Sequence, residues 1–219
     1  YYVGHARDAE SGAFSWSVLA FRVAADNQWT FDGHHAGFVT ADQNQLQYVG
    51  AHQEDSAAAQ LTALLWATAL AVECVAKDGA RHIAIRHRSS MAAAQCSSTC
   101  ASNQHLHLVA IASTAFQVLS LSAQCNFVTI SKKTKDPWSS IATKVATAAL
   151  HASDLRTNAI LPFGQWTGLT DDAIRLQYLR HMPPDLVREY PQVDTEGMLS
   201  ANPPGGYWYG LPSSRIAEG

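Results

Sequence analysis

Apolar residues recur with a two-residue period up to Thr40 and with a helical period after Asp55. Aromatic and β-branched residues fill the run from Phe14 to Val23, a second run covers Trp29 to Thr40, and Gly12 and Asp32-Gly33 supply turn chemistry between extended segments. This pattern predicts an antiparallel meander. Asp55 or Ser56 can then cap a helix in which Leu61, Leu64, Leu65, Ala69 and Val72 share one face, and Asp78-Gly79 closes it. His82 to His87 reads as a short strand, Ser89 to about Ala101 as a helix, His105 to Leu121 as another, and Phe127 to Ser131 as the next strand. Asp136-Pro137 supplies an N-cap with proline at the first helical position, and Trp138, Ile141, Val145 and Ala148 form the apolar stripe of the helix that follows. The predicted order is three strands, a helix, a strand, helices, a strand and a helix.

All eight prolines fall at or after Pro137, which separates a proline-free body from a punctuated end. With 219 residues and 47% apolar content the chain can bury one sizeable core, and it lacks the charge excess of a disordered polymer. A formal net charge of -3 gives no bulk basic signature, so nucleic-acid contact would need a local patch. The longest apolar run, Leu61 to Val75, is interrupted by Thr62, Thr68 and Glu73 and reads as too short and too polar for a membrane span. Four cysteines form no secreted disulfide framework, which favours a reducing intracellular compartment. A chain beginning at Tyr1 reads as a processed or partial product, including an organellar protein whose targeting segment has been removed. Cys96, Cys100, His105 and His107 match no zinc template. Without a phosphate loop, dinucleotide fingerprint or nucleophile elbow, no cofactor is expected and no general base is assigned among the ten histidines.

The element order, with Ala57-Ala58-Ala59-Gln60-Leu61-Thr62-Ala63-Leu64, Ile83-Ala84-Ile85-Arg86-His87-Arg88-Ser89-Ser90 and Lys135-Asp136-Pro137-Trp138 through Ala142-Thr143, resembles the ribonuclease H domain of non-LTR retroelement reverse transcriptases. The resemblance covers residues 1–152. It implies an α/β ribonuclease H-like fold, a mixed five-stranded sheet flanked by helices. Residues 153–219 read as a C-terminal extension with a short helix and an aromatic, proline-rich tail. In the family, four acidic residues hold two divalent cations that activate water and stabilise the leaving oxygen. At the matching positions this chain carries Gly4, Gln60, Arg88 and Thr143, and Lys133 stands where the family has a loop histidine. A cage of four negatives becomes a site with one positive charge, so the resemblance implies a pseudoenzyme without bound metal. It also implies that aspartate or glutamate at all four positions would rebuild the cage.

Arg81, Arg86, His87 and Arg88 read as lying near one strand end, and Lys132, Lys133 and Lys135 near the next, forming a basic edge suited to phosphates of RNA or an RNA–DNA duplex. The opposing reading is solvated loop charges, with Arg88 paired to an internal carboxylate. Trp166, Tyr207, Trp208 and Tyr209 sit in the extension and must either fold back or dock on a partner subunit. Three functions follow as expectations. The first is a non-catalytic scaffolding subunit of a larger assembly, such as a ribonucleoprotein or another multi-subunit complex. The second is a non-catalytic nucleic-acid-binding module. The least favoured, an active metal-dependent ribonuclease, requires Asp8, Glu10, Glu54 or Asp136 to rebuild an acidic site.

Overall fold

The computed structural model describes residues 1–24, 26–131, 133–157 and 161. Five strands, β1 (Tyr2–Arg7), β2 (Phe14–Val23), β3 (Trp29–Phe38), β4 (His82–His87) and β5 (Gln124–Thr129), form one sheet in the order β3-β2-β1-β4-β5. β1, β2 and β3 pair antiparallel, while β4 runs parallel to β1 and β5 parallel to β4. Helices α1 (Ser56–Asp78), α2 (Ser90–Cys96) and α3 (Leu106–Ser122) share a core with one sheet face, and α4 (Pro137–His151) packs on the other. This is the mixed, helix-flanked five-stranded architecture that the resemblance implies.

The caps of α1 are those the residues dictate. The Asp55 carboxylate accepts the Ala58 amide at 2.8 Å, and Gly79 ends the helix in the left-handed region (φ 65°) with its amide on the Val75 carbonyl. At 23 residues, α1 is longer than the apolar run suggests, and by length and composition alone it would suffice to cross a membrane. Here Ala58, Leu61, Leu64 and Leu65 are almost fully buried against Trp16, Val18, Ile83 and Ile85, so its apolarity serves the core. Trp66 stacks on Trp16 with ring centroids 4.8 Å apart.

Asp55 also bonds the buried His105, whose Nε2 lies 3.2 Å from the carboxylate while its Nδ1 accepts the His52 amide at 3.2 Å. That geometry places the proton on Nε2 and ties the start of α1, the preceding loop and the start of α3 together. Burial by itself would raise the Asp55 pKa, but hydrogen bonds from Ala58 and Gln53 and the neighbouring His105 override it and hold the carboxyl below its ordinary value. A depressed folded-state value stabilises the protein above the unfolded value of 3.8, and that contribution is lost as the pH falls through the lower folded value. Asp55→Ala should cost about 1 kcal/mol at neutral pH. Thermal melts should show the gap between wild type and variant narrowing toward pH 3.

Several elements depart from the sequence reading; β5, for one, spans Gln124–Thr129 rather than Phe127 to Ser131. The second helix stops at Cys96 rather than near Ala101, because Ser98 takes a left-handed φ of 56° and the amides of Thr99 and Cys100 both turn back onto the Ala94 carbonyl. In α4 the buried stripe is Ser139, Ala142, Ala146 and Ala149, whereas Trp138 and Ile141 are 38% and 39% exposed. The reason is how closely the helix approaches the sheet. Ser17 Oγ donates to the Ala142 carbonyl at 2.6 Å and Ser15 Oγ to the Ala146 carbonyl at 2.7 Å, both from buried positions on β2. Gly4 lies under Ala142 and Thr143 so closely that a Cβ there would stand 2.5 Å from the Ala142 carbonyl carbon. Only small side chains fit that seam, so the larger apolar residues are turned outward.

Packing on the body continues past α4. The Arg156 guanidinium lies 4.0 Å from the Phe38 ring centre and its Nε donates to the Ala149 carbonyl at 2.9 Å. Thr157 exchanges hydrogen bonds with Ala36 on β3, and Leu161 is buried in the main core. Trp166, Tyr207, Trp208 and Tyr209 lie outside the described residues.

Candidate functional site

Gly4, Gln60, Arg88 and Thr143 line one cavity of about 800 Å³, together with Val3, His5, Ser56, Ala63, Leu64, His87, Ser89, Ser90 and Met91. Each side chain arrives on a separate element. β1 brings Gly4 and His5, the first turns of α1 bring Ser56 and Gln60, the end of β4 brings His87 and Arg88, and the second turn of α4 brings Thr143. β1 pairs parallel with β4 through Tyr2 and Arg86, so the cavity opens past the end of β4, beside the middle of β1.

None of the lining residues carries a carboxylate. Asp136 caps α4 through the Ser139 amide, and Asp8 is held by the Ser11 hydroxyl at 2.6 Å. Neither lines the cavity, nor do Glu10 and Glu54. No group of three or more metal-binding side chains occurs among the described residues.

A neutral hydrogen-bonded cluster stands in its place. The Gln60 amide nitrogen lies 3.0 Å from Ser56 Oγ and 3.2 Å from His5 Nε2, and Ser56 Oγ is 3.2 Å from the same imidazole nitrogen. With the amide donating, His5 accepts at Nε2 and carries its proton on Nδ1, an assignment made from the network. Burial lowers the His5 pKa, so the ring is neutral at pH 7. The Thr143 hydroxyl is spent on the Ser139 carbonyl at 3.2 Å. Gln60 and Thr143 thus satisfy protein partners.

Arg88 behaves differently. It is exposed, follows β4 directly, and no described carboxylate reaches it, since the ion pairs among the described residues involve Arg22, Lys77 and His105. Beside it His87 is 2% exposed, and neither ring nitrogen makes a hydrogen bond of normal geometry; the Ser89 backbone is only a loose neighbour. Burial, more than that neighbour, lowers its pKa.

The strand separates the remaining basic residues. Arg81 precedes β4, where its carbonyl receives the Gln124 amide, and so lies at the opposite strand end from Arg88. Arg86 spreads over Tyr2 and Trp29, 5.6 Å and 6.0 Å from their ring centres, and lines a different cavity of about 330 Å³. A single basic edge through Arg81, Arg86 and Arg88 therefore does not form: Arg81 lies at the other end of the strand, and the Arg86 guanidinium is turned onto two aromatic rings. Lys133 and Lys135 are exposed in the loop before α4, and Lys132 lies outside the described residues.

His5, Ser56 and Ser90 line the cavity without being singled out for it by the sequence, whereas His87 reads there as part of the basic edge. Each is within four positions of a residue that was identified, so the signal lay in the strand ends and helix start themselves.

The chain matches no family model and no curated protein. Among solved structures it is similar to RNase H1 from the halophilic archaeon Halobacterium salinarum, at 17% identity over 68% of this chain and 94% of that one, with a TM-score of 0.44. It is also similar to the N-terminal RNase H domain of a Mycobacterium tuberculosis protein solved as a fusion with maltose-binding protein, at 14% identity over 68% and 94% of the two chains, with a TM-score of 0.40.

Proposed function

We propose that this chain is a non-catalytic ribonuclease H-like domain serving as a structural subunit of a larger assembly such as a ribonucleoprotein. One observation carries the reading. The four positions that resemble the family's acidic ligands share one cavity, and a glycine, an amide, a guanidinium and a hydroxyl occupy them. Two hard cations have no charge to bind there, and phosphodiester hydrolysis of this class depends on those cations.

The scaffolding part draws support from an exposed aromatic cluster. Trp29 and Phe31 are 49% and 53% exposed on β3, Phe21 bridges them to Trp138 at a centroid distance of 4.7 Å, and Val23 and Ile141 add exposed apolar surface. Contiguous patches of this kind mark surfaces that partners cover. The expected result is no cleavage of an RNA–DNA hybrid in magnesium or manganese, with the chain recovered from its native source in a complex. Cleavage that survives purification to homogeneity would end this reading.

Arg88 and the exposed Lys133 favour a second reading, a nucleic-acid-binding module that holds phosphates without cutting them. Binding to a hybrid or duplex RNA should then fall steeply with salt, and Arg88→Glu with Lys133→Glu should weaken it about tenfold or more at low salt. Retention assays at two ionic strengths check this, and absence of binding at low salt removes it.

A further inference from the structure

We propose that the cavity is a metal-independent phosphate site, in which Arg88 supplies the charge and the Ser89 and Ser90 hydroxyls supply neutral hydrogen-bond donors. The inference rests on the reading of the cavity as free of metal, and it adds an occupant that this reading does not require. Three observations combine. The cavity is large enough for a phosphate group and the unit that bears it, at about 800 Å³. Its only charged wall residue is a guanidinium without an ion-pair partner among the described residues. Its wall also carries the Ser89 and Ser90 side chains next to that guanidinium.

The chemistry selects an oxyanion. An unpaired guanidinium offers planar, forked donors that fit two oxygens of a phosphate. Ser89 Oγ accepts the Ala92 amide at 3.2 Å, which leaves its hydroxyl proton free to donate, and Ser90 stands beside it on the same wall. A cation finds the opposite, because the wall side chains hold no carboxylate and a single carbonyl oxygen, that of the Gln60 amide. The site that resembles a magnesium cage has thus changed the sign of what it attracts: metal and phosphate are no longer held together, and the phosphate is held directly.

The same oxyanion can come from a free phosphate or from a nucleic-acid backbone, and the experiment separates them. Full-length protein is titrated with inorganic phosphate, and separately with a duplex RNA lacking terminal phosphates, while NMR follows the Arg88 side chain and the Ser89 and Ser90 amides. Saturable binding of inorganic phosphate that weakens about tenfold or more in Arg88→Gln, and not in the equally charged control Arg81→Gln, supports the proposal with a free phosphate as ligand. Binding of the duplex alone, with the same dependence on Arg88 and not Arg81, supports it with the backbone as source. No saturable shift with either probe, or equal loss in both variants, overturns it. Arg88 is exposed, so the glutamine variant should melt as wild type does, and a matching melt excludes loss through misfolding. Hydrolysis or magnesium-induced stabilisation of the wild type would instead strike at the non-catalytic reading, so the two failures are distinct.

Discussion

Gly4→Asp should destabilise the fold by about 3 kcal/mol or more, lowering the melting temperature by roughly 10 °C, because nothing at that position can yield to a side chain. The nearest atoms to a new Cβ are the backbone carbon and oxygen of Ala142 and the backbone nitrogen of Thr143, at 2.5, 2.7 and 2.7 Å. Flexible side chains give way to overpacking, but helix backbone does not unless the whole helix lifts. Lifting α4 would also break the Ser17 and Ser15 hydrogen bonds to its carbonyls. Gly4→Ala carries the same Cβ and should show most of the loss, so the pair separates shape from charge: if alanine is tolerated and aspartate is not, charge rather than the seam is responsible. The result bears on the expectation that four acids would rebuild a metal cage. Gly4, where the resemblance places the first acid, lies beneath a helix seated in the space a side chain would need.

Three acids are the practical limit, and they should be enough to make the cavity respond to metal. Gln60→Glu, Arg88→Asp and Thr143→Asp together convert a wall with one positive charge into one with three negatives, all on residues that already line the same cavity. Without metal these carboxylates repel one another, their pKa values rise, and the variant should melt lower than wild type at neutral pH. Millimolar magnesium should then recover stability by mass action, worth about 2.7 kcal/mol when the ion is in hundredfold excess over its Kd. The wild type should show no magnesium shift in the same calorimetric scan. A shift in the wild type would reveal a metal site elsewhere, and a folded triple variant indifferent to magnesium would show that these side chains do not converge closely enough to share an ion.

Much of the framework was legible because its signals are local. Asp55 and Gly79 bound α1, Asp136-Pro137 opens α4, and alternation marks β2, all at the residues the sequence suggests. The hydrophobic stripe of α4 was misread because hydrophobicity alone cannot report distance. At this seam closeness selects serine, alanine and glycine, and the bulky Trp138 and Ile141 are displaced to the surface. The early end of α2 depends on the left-handed Ser98, a backbone choice that no side-chain pattern announces. In the site, Gln60, Arg88 and Thr143 were recognisable from neighbouring residues. What the sequence could not show was how their hydrogen bonds are spent: Gln60 on His5 and Ser56, Thr143 on its own helix, and Arg88 on no described protein group.

The hydrogen bonds between Thr157 and Ala36 affect how this protein meets other copies of itself. β3 is an outer strand of the sheet, and an outer strand presents free amides and carbonyls to any extended chain that passes. Thr157 occupies both groups of Ala36, its amide on the carbonyl at 2.6 Å and its hydroxyl receiving the amide at 3.0 Å, while Arg156 lies across Phe38 two residues along. The few residues after α4 thus act as a selvedge on the sheet. Cut at residue 152, the sheet would keep its strands and its cavity but lose that finished border, and its outer strand would be open to pairing with another molecule.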